Sequence, residues 1–120
     1  MQGSLTVLVL DDDPSIRLLC RVNLELDGHT VKEAGTLAEA RRAIEEGGVD
    51  VAILDVHVAG ADSRDLLVEL RKGHPDLPVA LLTGTADRSE LIRVGADALI
   101  PKPFELEELR RTVEELAGSR

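Results

Sequence analysis

Three stretches of this chain are aliphatic almost without interruption: "LTVLVL" (5–10), "VDVAILD" (49–55) and "LPVALLT" (77–83). A strand with one wet face alternates polar and apolar residues, whereas a run that is apolar throughout must be covered on both faces. That demand suits a parallel sheet layered between helices. "HTVKEA" (29–34) and "DALIP" (97–101) are weaker strand candidates. Phe104 is the only aromatic residue, so the core must be packed from Leu, Val, Ile and Ala.

Helical stretches with caps fill the gaps. Asp13-Pro14 reads as an N-cap followed by a first-turn proline, after which Ile16, Leu19, Cys20 and Leu24 share one face. Thr36 and Glu39 form a capping box before Leu37, Ala40 and Ile44, and Gly47-Gly48 closes that helix. Ser63 is placed to cap a third helix carrying Leu66, Leu67 and Leu70, ending near Gly73. A short fourth helix is expected around 87–94, and a fifth in "ELEELRRTVEEL", with Leu106, Leu109, Val113 and Leu116 on one stripe and Gly118 at its end. Five strand–helix units in this order predict an α/β fold, a parallel sheet with helices on both faces. Residues 1–120 read as a single domain, and Met1–Ser4, which could be partly a cloning remnant, is given no role.

Composition narrows the partners. With 14 Lys and Arg against 23 Asp and Glu the net charge is −9, which disfavours direct nucleic-acid binding. The single cysteine, Cys20, rules out an internal disulfide and fits a reducing, cytoplasmic setting. Cys20 itself reads as a small core residue. No apolar run has the length of a membrane span, no signal-peptide pattern opens the chain, and three scattered histidines lack zinc-ligand spacing.

In a doubly wound sheet, ligands bind beyond the carboxyl ends of the strands. Asp11 and Asp12 end the first strand, Asp55 the third and Thr83 the fourth, and Lys102 follows the fifth. Each has an ordinary explanation alone: a solvated loop for Asp11 and Asp12, a surface position for Lys102. Asp13 reads as a helix cap. A carboxylate closing a buried strand, as Asp55 does, is harder to explain away, because it is costly unless partnered. Together they fit Mg²⁺-assisted phosphoryl chemistry, in which a hard cation takes a few carboxylates and keeps waters. An aspartate can then attack phosphorus while Thr83 and Lys102 hold the phosphoryl oxygens.

"VLVLDDDPSIRLL", "VAILDVHVAGADSRDLLVELR", "VALLTG" and "GADALIPKPF", in this order over about residues 5–117, resemble the receiver domain of bacterial two-component response regulators. The resemblance implies a flavodoxin-like (βα)5 fold with strand order 2-1-3-4-5. It implies that Asp55 accepts a phosphoryl group from a histidine kinase, a phosphotransfer protein or a small phosphodonor. Mg²⁺ would be bound by Asp12, Asp55 and the backbone carbonyl of His57, with Asp11 acting through water. Thr83 and Lys102 would contact the phosphoryl group, and Lys102-Pro103 would be a cis peptide. A phosphorylation-dependent switch would signal to an output domain or a downstream protein. The domain would then catalyse only its own phosphorylation and dephosphorylation, with no membrane association.

The chain departs from the family at Ala59, usually proline, and at Ser63, usually glycine. Leu99 stands where the family often has Tyr or Phe, and the segment from Thr83 to Gly95 is about one helical turn short. The last two departures fall on the face of the fourth helix, fifth strand and fifth helix, through which many relatives signal. Two other functions remain open at this point. "DDDPS" loosely fits the opening of haloacid-dehalogenase-type phosphatases, with Asp11 as nucleophile and Asp13 as acid/base. A receiver-like interaction module that no longer uses phosphate is the other.

Overall fold

The computed structural model describes residues 4–84 and 88–118. In chain order the elements are β1 (Thr6–Leu10), α1 (Pro14–Leu26), β2 (Thr30–Ala34), α2 (Leu37–Glu45), β3 (Val51–Asp55), β4 (His57–Val58), β5 (Ala61–Asp62), α3 (Arg64–Gly73), β6 (Val79–Thr83), α4 (Arg88–Arg93), β7 (Ala98–Pro101) and α5 (Leu106–Gly118). Five strands form one parallel sheet in the order β2-β1-β3-β6-β7. This is the expected 2-1-3-4-5 arrangement, with β6 and β7 as fourth and fifth strands. The aliphatic runs are the reason: all five residues of β3 and all five of β6 are buried.

Side chains alternate across the sheet and so build two cores. Val7, Val9, Val51, Ile53, Ala80 and Leu82 pack with Cys20 and Leu24 of α1 and Leu109, Val113 and Leu116 of α5. Leu8, Leu10, Ala52, Leu54, Val79 and Leu81 pack on the other side with α2, α3 and Leu91 of α4. Phe104 is partly buried against the first of these cores.

The helix starts hold with two changes. Asp13 caps α1 by accepting the Ser15 N–H, and Thr36 caps α2 by accepting the Glu39 N–H. Glu39 reaches back to the Gly35 N–H at 2.7 Å, one residue before the cap. Ser63 occupies the N-cap position of α3 but makes no side-chain cap bond. Asp62 accepts the Arg64 N–H instead, which leaves the Ser63 hydroxyl for another use.

Leu19 is not in the core. Ile16, Cys20 and Leu24 are four residues apart, and Leu19 lies ~100° round the helix from Cys20. It is 41% exposed and joins Leu18, Val22 and Leu26 in an apolar strip on the outside of α1. The fourth helix is short, as expected, with six residues; Asp87, where the expectation began, lies outside the described residues. Met1, Gln2 and Gly3 lie outside them too.

The hairpin β4–β5 is the element that the sequence pattern does not announce. His57 pairs with Asp62 and Val58 with Ala61, antiparallel, around the two-residue turn Ala59-Gly60. Both turn residues have positive φ, +51° and +82°. Glycine adopts this region freely and alanine rarely does, but positive φ at both positions is the type I′ geometry, one of the two-residue turns that match strand twist.

Candidate functional site

The carboxyl edge of the sheet is where the charged residues gather. Asp11, Asp12 and Asp55 each offer an oxygen, and these oxygens lie within 4.8 Å of one another. Asp11 and Asp55 are buried and Asp12 is exposed. The three arrive from two adjacent strands: β1 and β3 pair in register up to Leu10 opposite Leu54, so their next residues meet at one edge.

The buried pair is held by named partners. Lys102 Nζ donates to Asp55 Oδ2 at 2.9 Å and to Asp11 Oδ2 at 3.5 Å. Asp11 Oδ1 accepts the Asp13 N–H at 2.9 Å. Burial raises the Asp11 carboxyl above the ordinary carboxylate range, and the Asp55 charge adds to this. The Asp13 N–H and Lys102 pull the other way. For Lys102, desolvation pulls the ammonium pKa down, yet its hydrogen bond to Asp55 and the charges of Asp55 and Asp11 together leave it raised. One cation thus sits between two buried anions, which is the arrangement that burial of charge requires.

Thr83 is buried at the end of β6. Its backbone carbonyl accepts the Lys102 N–H at 2.8 Å, extending the β6–β7 pairing by one rung. The Lys102-Pro103 peptide is cis, in agreement with the expectation. His57 is exposed, and its N–H lies 3.4 Å from Asp55 Oδ1. Leu99 is half-buried against the α2–α4 side of the core.

All six residues read as site candidates therefore lie at or beside one edge of the sheet. Asp13 does not join them, because its carboxylate caps α1. That removes the acid/base of the phosphatase alternative. Cys20 stays a core residue: burial, and then the nearby Asp11 charge, push its thiol up to about 12.

Three contacts at the site were not legible in the sequence. The Ala59 N–H donates to Asp12 Oδ2 at 2.8 Å. The buried Ser63 hydroxyl donates to the Asp55 carbonyl at 2.6 Å. Arg17 Nη1 donates to the Asp11 carbonyl at 2.6 Å while its Nε pairs with Glu33. Ser63 carried a weak signal as a hydroxyl directly after the loop; a backbone N–H carries none.

Oxygen donors at this spacing suit a small hard cation: three carboxylate groups, one of them open to water, match Mg²⁺ better than a softer metal. Among the described residues no helix is long and apolar enough to cross a membrane.

The family model for the response regulator receiver domain matches residues 7–114. The sensor kinase CckA of Brucella abortus (strain 2308) is 38% identical over 121 residues, covering 97% of this chain and 13% of the kinase. The response regulator MprA of Mycobacterium ulcerans (strain Agy99) is 38% identical over 109 residues, covering 88% of this chain and 47% of that protein. The chain thus spans less than half the length of either relative. The crystal structure of the receiver domain of NtrX from Brucella abortus superposes with a TM-score of 0.88 at 32% identity, covering 95% of this chain and 99% of that one.

Proposed function

The chain belongs to the response regulator receiver domain family, the phosphoacceptor domains of two-component systems, and we propose that Asp55 is the residue that takes the phosphoryl group. The observation that carries the assignment is the position of its carboxylate. Asp55 closes the central strand, is buried beside Asp11 and Asp12, and is engaged by Lys102 at 2.9 Å.

In the proposed reaction an Asp55 carboxylate oxygen attacks the phosphorus of a phosphohistidine on a kinase or phosphotransfer protein. The Oδ–P bond forms as the P–N bond breaks, and the leaving imidazole takes a proton. Lys102 releases Asp55 and follows the charge onto a phosphoryl oxygen, and Thr83 donates its hydroxyl to another. Asp12, Asp55 and the His57 carbonyl would hold Mg²⁺, with Asp11 acting through water. When bound, the ion offsets the negative charge that otherwise repels the incoming phosphoryl group. The domain turns over no separate substrate in this reading. It passes its state to an output domain or downstream protein, in the cytoplasm, with residues 1–120 acting as one receiver unit.

Intact-mass measurement after incubation with acetyl phosphate and Mg²⁺ tests the assignment. We expect the mass of one phosphoryl group to be added to the wild-type chain, none to Asp55→Asn, and none when EDTA is present. Phosphorylation of Asp55→Asn at the wild-type rate would remove the assignment, and phosphorylation in EDTA would remove the metal.

A further inference from the structure

Arg17 stands one turn into α1 and reaches back over the loop that carries the acidic residues. Its Nη1 donates to the Asp11 carbonyl at 2.6 Å, and its Nε to Glu33 Oε1 at 3.1 Å. That carbonyl lies just past the last β1–β2 pair, Leu10 opposite Ala34. The Asp11 N–H still finds the Ala34 carbonyl at 3.0 Å, but β2 ends there, and a side chain supplies the donor for the Asp11 carbonyl. Asp11 is buried, so its backbone oxygen needs such a partner.

The surroundings are shaped to this guanidinium. The Arg17 side chain is only 20% exposed, and Glu33 of β2 holds it from the side away from Asp11. Gly35 leaves it room: a Cβ there would lie 3.1 Å from Arg17 Nη1, a tight approach. Gly35 does not have positive φ, so space rather than backbone conformation is what glycine supplies at this position. The peptide that Arg17 holds is the one joining Asp11 to Asp12. On its other side the loop is pinned by the Asp13 N–H on Asp11 Oδ1 and by the Asp13 carboxylate on the Ser15 N–H. An arginine fork fixes direction as well as distance, which a single ammonium does not.

We propose that Arg17 is a positioning residue for the metal: by holding the Asp11–Asp12 peptide it sets the direction from which the Asp12 carboxylate meets Mg²⁺. Groups that orient a ligand belong to a metal site as much as the ligand does. The proposal rests on the reading of Asp12 as a metal ligand. It also predicts a sign. A second cation beside an acid pocket repels a metal ion, so if Arg17 acted only through its charge, removing it would tighten Mg²⁺ binding. Positioning requires the reverse.

Three variants separate the two, each checked for folding by its melting curve. Arg17→Met removes both the charge and the bond to Asp11. Arg21→Met removes the same charge from the same helix, and a donor to the same Glu33, from a side chain bonded to Glu33 and Glu25. Gly35→Ala keeps the charge and crowds the guanidinium. In Mg²⁺ titrations followed by amide NMR, Arg17→Met should bind about fivefold more weakly or worse, and Gly35→Ala about twofold or worse. Arg21→Met should bind no more weakly than wild type. The Asp11 carbonyl-carbon resonance should move in Arg17→Met and Gly35→Ala and stay in place in Arg21→Met. Equal or tighter binding in Arg17→Met, or an equal loss in Arg21→Met, overturns the proposal. Should Arg17→Met fail to fold, Gly35→Ala decides, and wild-type affinity there overturns it. A wild-type chain that binds no Mg²⁺ at all would overturn the metal reading itself and the proposal with it; the variant outcomes overturn only the positioning role.

Discussion

Replacing Lys102 by methionine keeps the length of the side chain and removes the charge that separates Asp11 from Asp55. With an effective dielectric constant of about 20, the gross attraction of an ammonium at these separations is about 6 kcal/mol to Asp55 at 2.9 Å and about 5 kcal/mol to Asp11 at 3.5 Å. Desolvation of the three groups and the ordering of the lysine stem offset most of this. What Lys102→Met leaves behind is two carboxylates, 1% and 9% exposed at their side chains, facing each other without a cation. Stranding buried charge costs about 3–5 kcal/mol, and the partial exposure of Lys102 places this case near the lower end. At about 4 °C per kcal/mol for a domain of this size, the melting temperature should fall by about 12 °C. Far-UV circular dichroism is the assay, because the chain has no Trp or Tyr to report tertiary change. The pH dependence has a definite sign. The Asp11 pKa is raised above 3.8 in the folded chain, so its ionisation opposes folding. That penalty is absent below 3.8, grows as pH rises through the folded value, and is complete above it. Removing Lys102 lifts the Asp11 pKa further, so the gap to wild type should close as pH is lowered through this window. Mg²⁺ should also close part of it. A variant that melts within about 2 °C of wild type at pH 7 would show that the ammonium contributes nothing net, and would refute the reasoning.

Three other outcomes follow from the same geometry. Asp12→Ala should abolish Mg²⁺ binding while moving the metal-free melting temperature by no more than about 4 °C, since it loses the Ala59 bond and a repulsive charge together; calorimetric titration and a melting curve check both halves. Ser63→Ala leaves the buried Asp55 carbonyl without its donor and should cost about 1–2 kcal/mol in chemical denaturation. With beryllofluoride and Mg²⁺, methyl NMR should show large changes in the loops after Asp55 and Thr83 and small ones at Leu99, which has no ring or hydroxyl to exchange environments; large changes centred on Leu99 and α5, or a dimer formed across them, would contradict this.

Much of this was legible in the sequence because burial writes itself into side chains. "VAILD" and "VALLT" suited strands covered on both faces, and in such a sheet the residue closing each run stands at the edge. Asp13 and Thr36 announced their helices because a side-chain oxygen is the cheapest partner for an unpaired N–H. The misses have physical reasons too. Two residues per strand are too few to show a period, so the β4–β5 hairpin was silent. The Ala59 contact is made by a backbone group that every residue but proline has. Ser63 could serve a helix start or a carbonyl with the same hydroxyl, and only the fold decided between them. Leu19 was placed inward by a tally of apolar residues, when the line Ile16–Cys20–Leu24 already filled the face.

The sheet, apolar on both sides, is also a wall between two rooms. Packing in the layer of α1 and α5 is separated from that of α2, α3 and α4 by backbone that neither layer can bend cheaply. Substitutions in one room therefore go largely unheard in the other, and each can drift to its own repertoire of leucines and valines. The wall ends at the carboxyl edge. By alternation Asp55 continues the Val51–Ile53 row on the α1–α5 side, and Thr83 continues the Val79–Leu81 row on the opposite side. A small anion gripped by both would span the partition, and it is there that news from one room can reach the other.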